Sequence, residues 1–180
     1  MSTSATRLYE YSAAAAVELT TQPAVAFLPS LHTGTEPSAV IPLDLSKSLG
    51  GCTTPATSPN LLASFLRLQP DTPLKTEPRC SSQVFYVIRG KGCTTGASCG
   101  AIEWEEGDCF TFPGTEGPVL HSSSTPSSLY WVHDEPLLRY LGVTASSPPR
   151  FIPALYKSHM VREKVEEIRH QPAAEGRNRM

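Results

Sequence analysis

The sequence predicts an all-β domain: a small closed barrel of short strands, with helix confined to the two ends. Three observations carry this. Seventeen prolines and 12 glycines divide the 180 residues into short pieces. The pieces between about residues 60 and 143 are apolar, β-branched or aromatic runs of strand length. Turn signals separate them at Arg89-Gly90-Lys91-Gly92, Glu105-Glu106-Gly107-Asp108 and Pro113-Gly114-Thr115, at the spacing of a sandwich or barrel. Closing the sheet removes edges that would otherwise recruit strands from other molecules.

In chain order, Ser12 to Leu19 (SAAAAVEL) predicts a short helix, Ala39 to Leu43 a first strand, and Gly50 to Asn60 a loop. Further strands are expected at Asn60 to Leu68, Gln83 to Arg89, Ala101 to Trp104, Asp108 to Phe112, Val119 to His121 and Ser128 to His133. Trp104 and Trp131 are expected to serve as core aromatics. Ser158 can cap a helix through about His170, in which Val161, Val165 and Ile168 share one face and are expected to pack on the barrel. Its charged residues, Arg162, Glu163, Lys164, Glu166 and Glu167, form the solvated face. The resulting division is an N-terminal extension (1–36), a barrel (37–157), a C-terminal helix (158–171) and a polar tail or linker (172–180).

Composition excludes several functions. No stretch approaches the roughly 18 uninterrupted apolar residues of a membrane helix, so no bilayer span is expected. Fifteen Lys and Arg against 17 Asp and Glu give a net charge of −2 without a single-sign block, so nucleic acid is not an expected partner. The opening MSTSATRLYEYS lacks a basic segment followed by an apolar one, which points to the cytoplasm and to thiols rather than disulfides. Cys52, Cys80, Cys93, Cys99 and Cys109 contain no C-x-x-C pair, so neither a zinc knuckle nor a disulfide framework is supported. No G-x-S-x-G elbow surrounds any serine, and Gly90-Lys91-Gly92 lies between strands and reads as a tight turn. His133 beside Asp134 suggests an oriented base, but neighbours on a strand face opposite ways.

From Gln83 to His121 the residues resemble the cupins, whose first motif runs H-x-H, three or four residues, E, six residues, G. Their second motif runs G, five residues, P, and then a histidine. Gln83 stands seven residues before Gly90, where the motif's glutamate would sit; GDCFTFP, from Gly107 to Pro113, reproduces the second motif, and His121 follows as its histidine. Trp131 to Val143 (WVHDEPLLRYLGV) is similar to the corresponding stretch of gentisate 1,2-dioxygenase-like cupins. The resemblance implies a cupin-type double-stranded β-helix, a jelly-roll barrel with short terminal helices. It also implies kinship with enzymes of two cupin halves that cleave hydroxylated aromatic rings with non-haem Fe(II) and dioxygen. This chain would then correspond to an amino-terminal half.

Counted back from Gln83, the two histidine positions of the motif fall on Glu77 and Arg79, so three of four implied ligands are changed. His121 remains as the one candidate metal ligand, insufficient alone for an iron centre that keeps positions open for substrate and oxygen. A lone histidine of this kind reads first as a structural one, hydrogen-bonded at a strand end, and only second as a metal ligand. Regular alternation would place Glu77, Arg79, Ser81 and Gln83 on the inner side, with Arg79 repelling a cation and pairing with Glu77. Three readings follow. The first is a degenerate cupin with a structural role and no cofactor. The second is a metal-free binder of a small aromatic or organic acid, held by Arg79 with Gln83, Phe85, His121 and Trp131 around it. The third is an active Fe(II) dioxygenase with an unorthodox ligand set. The expected protein partner is a second copy or a second cupin domain.

Overall fold

The computed structural model describes residues 24–49, 54–96, 100–114 and 117–171. Period-2 alternation of buried and exposed residues is realised there as ten strands: β1 (Ala39–Pro42), β2 (Leu62–Leu68), β3 (Leu74–Thr76), β4 (Ser82–Arg89), β5 (Lys91–Gly96), β6 (Gly100–Glu105), β7 (Cys109–Pro113), β8 (Val119–Ser123), β9 (Ser127–His133) and β10 (Ala154–Tyr156). They form two antiparallel sheets, one ordered β1-β2-β9-β4-β7-β10 and the other β3-β8-β5-β6. From β3 to β9 the chain passes repeatedly between the sheets, so the walls are woven together in jelly-roll fashion. Gly90 alone links β4 of the large sheet to β5 of the small one, at φ +92°. A Cβ there would lie 2.0 Å from the Ser127 hydroxyl, so only glycine fits.

Every strand expected from the sequence is present, with boundaries within two residues. The sequence reading missed β3, β5 and β10, and two helices, α1 (Ser30–Thr33) and α2 (Glu135–Leu141). β5 (KGCTTG) carries no large aliphatic residue and two glycines, so it gives no hydrophobic signal. α2 starts with Pro136 in its first turn and ends at Gly142, which adopts the left-handed conformation at φ +66°. The third helix, α3 (Ser158–His170), stands where the periodicity placed it. The helix expected at Ser12 to Leu19, the residues Cys52 and Cys99, and the tail 172–180 lie outside the described residues.

The core lies between the sheets. Register aligns Ser64, Trp131, Phe85 and Phe110 in one row across β2, β9, β4 and β7, and Leu62, His133, Gln83 and Phe112 in the next. Phe85 stacks on Phe110 with ring centroids 4.7 Å apart and on Trp131 at 6.0 Å. Leu66, Leu68, Val87, Ile102, Trp104 and Leu129 complete the cluster. On the outer face the same register aligns Phe65, Tyr130, Tyr86, Cys109 and Tyr156. The three tyrosines of that row are solvent-exposed. His32 of α1 covers Phe65, with centroids 4.4 Å apart, and Arg67 fastens this segment by donating to the carbonyls of Leu31 and Pro37 and to Glu36.

The stripe of α3 does not pack on the barrel. Val161, Val165 and Ile168 are 44%, 42% and 53% exposed, and no residue of the helix is buried. The helix is held by its first turn. The buried Asp108 carboxylate, from the β6–β7 turn, accepts the Ser158 N–H at 2.9 Å, the Lys157 ammonium at 2.9 Å and the Glu105 N–H at 3.0 Å. Periodicity identified the helix correctly, but it cannot say whether an apolar stripe meets the same domain or faces outward.

Candidate functional site

The expected site residues separate into two groups. Gln83, Phe85, His121 and Trp131 converge in the interior; Arg79 and Glu77 do not. β3 ends at Thr76 and β4 starts only at Ser82. Pro78 interrupts the ladder between them, since it has no N–H to donate. The alternation assumed for Glu77, Arg79, Ser81 and Gln83 is therefore broken. Both charged residues are exposed, and Glu77 pairs with Lys75 at 3.0 Å rather than with Arg79. Arg79 lines a surface cleft, so it neither seals the lumen nor grips a ligand beside Gln83 and Phe85.

His121 lies on the inner face of β8, fully buried, with Leu74 of β3 and Thr94 of β5 opposite it in register. Its Nδ1 is 2.9 Å from Thr94 Oγ1 and its Nε2 is 3.0 Å from Thr76 Oγ1. Trp104 Nε1–H, which can only donate, reaches Thr94 Oγ1 at 2.9 Å. Thr94 Oγ1 is thus shared between the Trp104 donor and His121 Nδ1, while Thr76 Oγ1 meets the other ring nitrogen. Burial lowers the His121 pKa to about 3, so the ring is neutral at physiological pH. Phe85 closes the side facing the large sheet, with ring centroids 5.3 Å apart. Sequence reasoning missed Thr76 and Thr94. Each sits on a strand whose hydrophobic pattern is absent or too short to assign.

Gln83, which the resemblance sets at the motif's glutamate position, has its amide engaged by two partners. Its Oε1 accepts the Trp131 indole N–H at 3.1 Å, and its Nε2 donates to the Pro113 carbonyl at 3.4 Å. The other histidines stand apart from His121. His32 is on the outer side of the large sheet, bonded to Ser128 at 3.2 Å. His133 packs on Trp131 at 4.4 Å and lines a separate cleft of about 250 Å³ with Leu62, Glu135, Pro136 and Arg139. Its pKa is lowered by burial, against the pull of Glu135 and Asp134. Asp134 does not orient His133. Its carboxylate accepts hydrogen bonds from the Ser81 N–H at 2.8 Å, the Ser81 hydroxyl and the Ser82 N–H.

Both nitrogens of the one motif histidine are hydrogen-bonded to threonines, the amide at the glutamate position is occupied, and the two histidine positions of the first motif lie outside the barrel. Among the described residues, no three His, Cys, Asp or Glu side chains are grouped as a metal site. The described cysteines, Cys80, Cys93 and Cys109, are free thiols, and burial raises the pKa of Cys80 and of Cys109.

No protein-family profile and no curated protein matches the chain. Solved structures do. A mutant of salicylate 1,2-dioxygenase from Pseudoaminobacter salicylatoxidans superimposes with a TM-score of 0.50 at 24% identity, over 68% of this chain and 31% of that one. An RmlC-like cupin protein from Desulfovibrio desulfuricans gives 0.47 at 11% identity, over 64% of this chain and 98% of that one. The chain thus spans about a third of the dioxygenase. The two-sheet architecture is the cupin fold, as the resemblance implied. No helix among the described residues is long and apolar enough to cross a membrane.

Proposed function

We propose that this chain is a metal-free cupin module with a structural role, whose lumen has become a packed core and whose contacts are made on its outside. The observation that carries the reading is the double tether of His121: a ring held at both nitrogens by Thr76 and Thr94, and covered by Phe85, has no lone pair free for a metal ion. Gln83, bonded to Trp131 and Pro113, adds no ligand. The exposed row of Tyr130, Tyr86 and Tyr156 on the large sheet supports pairing with a second barrel, since an apolar patch of this kind marks a contact surface.

The neighbouring salicylate 1,2-dioxygenase supplies the assay. Protein purified without chelators and incubated with Fe(II) should bind no stoichiometric iron, manganese, nickel or zinc, and should take up no oxygen with salicylate or gentisate. Stoichiometric metal that His121→Gln removes, or Fe(II)-dependent oxygen uptake, would overturn this reading in favour of an active dioxygenase.

A further inference from the structure

A second cleft, of about 430 Å³, opens outside the barrel between the 144–151 loop and the start of β4. Its volume falls in the range of small-molecule sites, roughly 300–1,000 Å³. Arg150 stands at its rim and forms no ion pair among the described residues. Among the described residues its one side-chain hydrogen bond runs from Nε to Ser146 Oγ at 3.3 Å, which orients the guanidinium and engages neither terminal amino group. Ser146, having accepted from Arg150, keeps its own hydroxyl proton to donate. Ser82 also lines the cleft, while Leu138, Pro149 and Phe151 supply apolar walls.

The nearby acidic groups are already engaged. Both oxygens of Asp134 accept hydrogen bonds from Ser81 and Ser82, and Glu135 is paired with Arg139 at 2.6 Å. The adjoining cleft, of about 450 Å³, contains Arg79 but also Glu77, whose carboxylate would repel an anion, and it has no aromatic wall. An oriented guanidinium, hydroxyl donors and an apolar surface together suit a planar anion with an apolar body.

From this geometry we infer that the Arg150 cleft binds small monocarboxylic acids with an apolar or aromatic body. The carboxylate pairs with the guanidinium and the Ser146 hydroxyl, and the body lies against Phe151 and Leu138. The site is outside the barrel, so it stands or falls separately from the metal-free reading of the lumen.

Titration of the full chain with benzoate, benzamide and inorganic phosphate, followed by protein chemical shifts, tests it. Benzoate is expected to shift residues 144–151 and Ser82, and both benzamide and phosphate to bind at least about tenfold more weakly. Arg150→Met should weaken benzoate by a similar factor with an unchanged circular dichroism spectrum, and Arg150→Lys, which loses the fork, should restore it only partly. The inference is overturned if benzoate does not bind, if it binds Arg150→Met as well as the native chain, or if phosphate binds as tightly as benzoate.

Discussion

The Asp108 carboxylate accepts the backbone N–H of Ser158 at 2.9 Å, joining the β6–β7 turn to the first residue of α3. A side chain fifty residues earlier thus does what a local N-cap usually does. The burial of Asp108 opposes ionisation, but hydrogen bonds from Lys157, Ser158 and Glu105 outweigh it and hold the pKa below the ordinary carboxylate value.

Asp108→Ala should detach α3 while leaving the barrel folded, because the helix has no buried side chain to hold it. The expected cost is about 1–2 kcal/mol in urea unfolding, the usual size of a lost cap. Amide exchange reads the location: protection in residues 158–170 should fall well below that of β4 and β9. Equal loss across the barrel would show that Asp108 supports the sheets instead.

Stability should decline from neutral pH toward acid because of the buried histidines. His32, His121 and His133 all have lowered pKa values, with burial the leading cause in each. Below about pH 6.5 the unfolded chain takes up protons that the folded chain refuses, so unfolding becomes progressively easier. For His121 this loss starts below the ordinary histidine value and continues to about pH 3. Its share of the slope is at most about 1.4 kcal/mol per pH unit. Urea titrations between pH 7 and 4 should show a shallower slope for His121→Gln than for the native chain; identical slopes would refute the neutral, tethered ring.

Removing the amide at position 83 should unsettle Trp131. Gln83→Leu leaves the buried indole N–H and the Pro113 carbonyl without their partner. The expected loss is about 1–3 kcal/mol, with a change in tryptophan emission. Gln83→Glu restores the acidic residue of the family motif, yet it should still bind no metal by elemental analysis, because Thr76 and Thr94 continue to occupy His121.

Much of this architecture was legible in the residues. Strands such as β4 (SQVFYVIR) and β9 (SSLYWVH) announce themselves by alternation and aromatic content, and the GDCFTFP motif located β7 and its preceding turn. The site was legible only in part. Gln83, Phe85, His121 and Trp131 lie on regular strands and are all buried, so alternation alone suffices to turn them inward. Arg79 was misplaced because a two-residue period was carried across Pro78, where the strand does not continue. Thr76 and Thr94 went unnoticed because hydrogen-bonding partners of a buried ring depend on which sheet each strand joins, and β3 and β5 carry too weak a pattern to reveal that.

The outermost strands of the large sheet have a consequence for the molecule's behaviour at high concentration. β1 spans four residues and ends in Pro42, which has no amide hydrogen to offer, and β10 at the opposite margin spans three. The small sheet begins with another three-residue strand, β3. A foreign strand arriving at these three margins finds few consecutive backbone groups to dock on, which leaves the six-residue β6, at the far side of the small sheet, as the longest edge open to strand addition among the described residues.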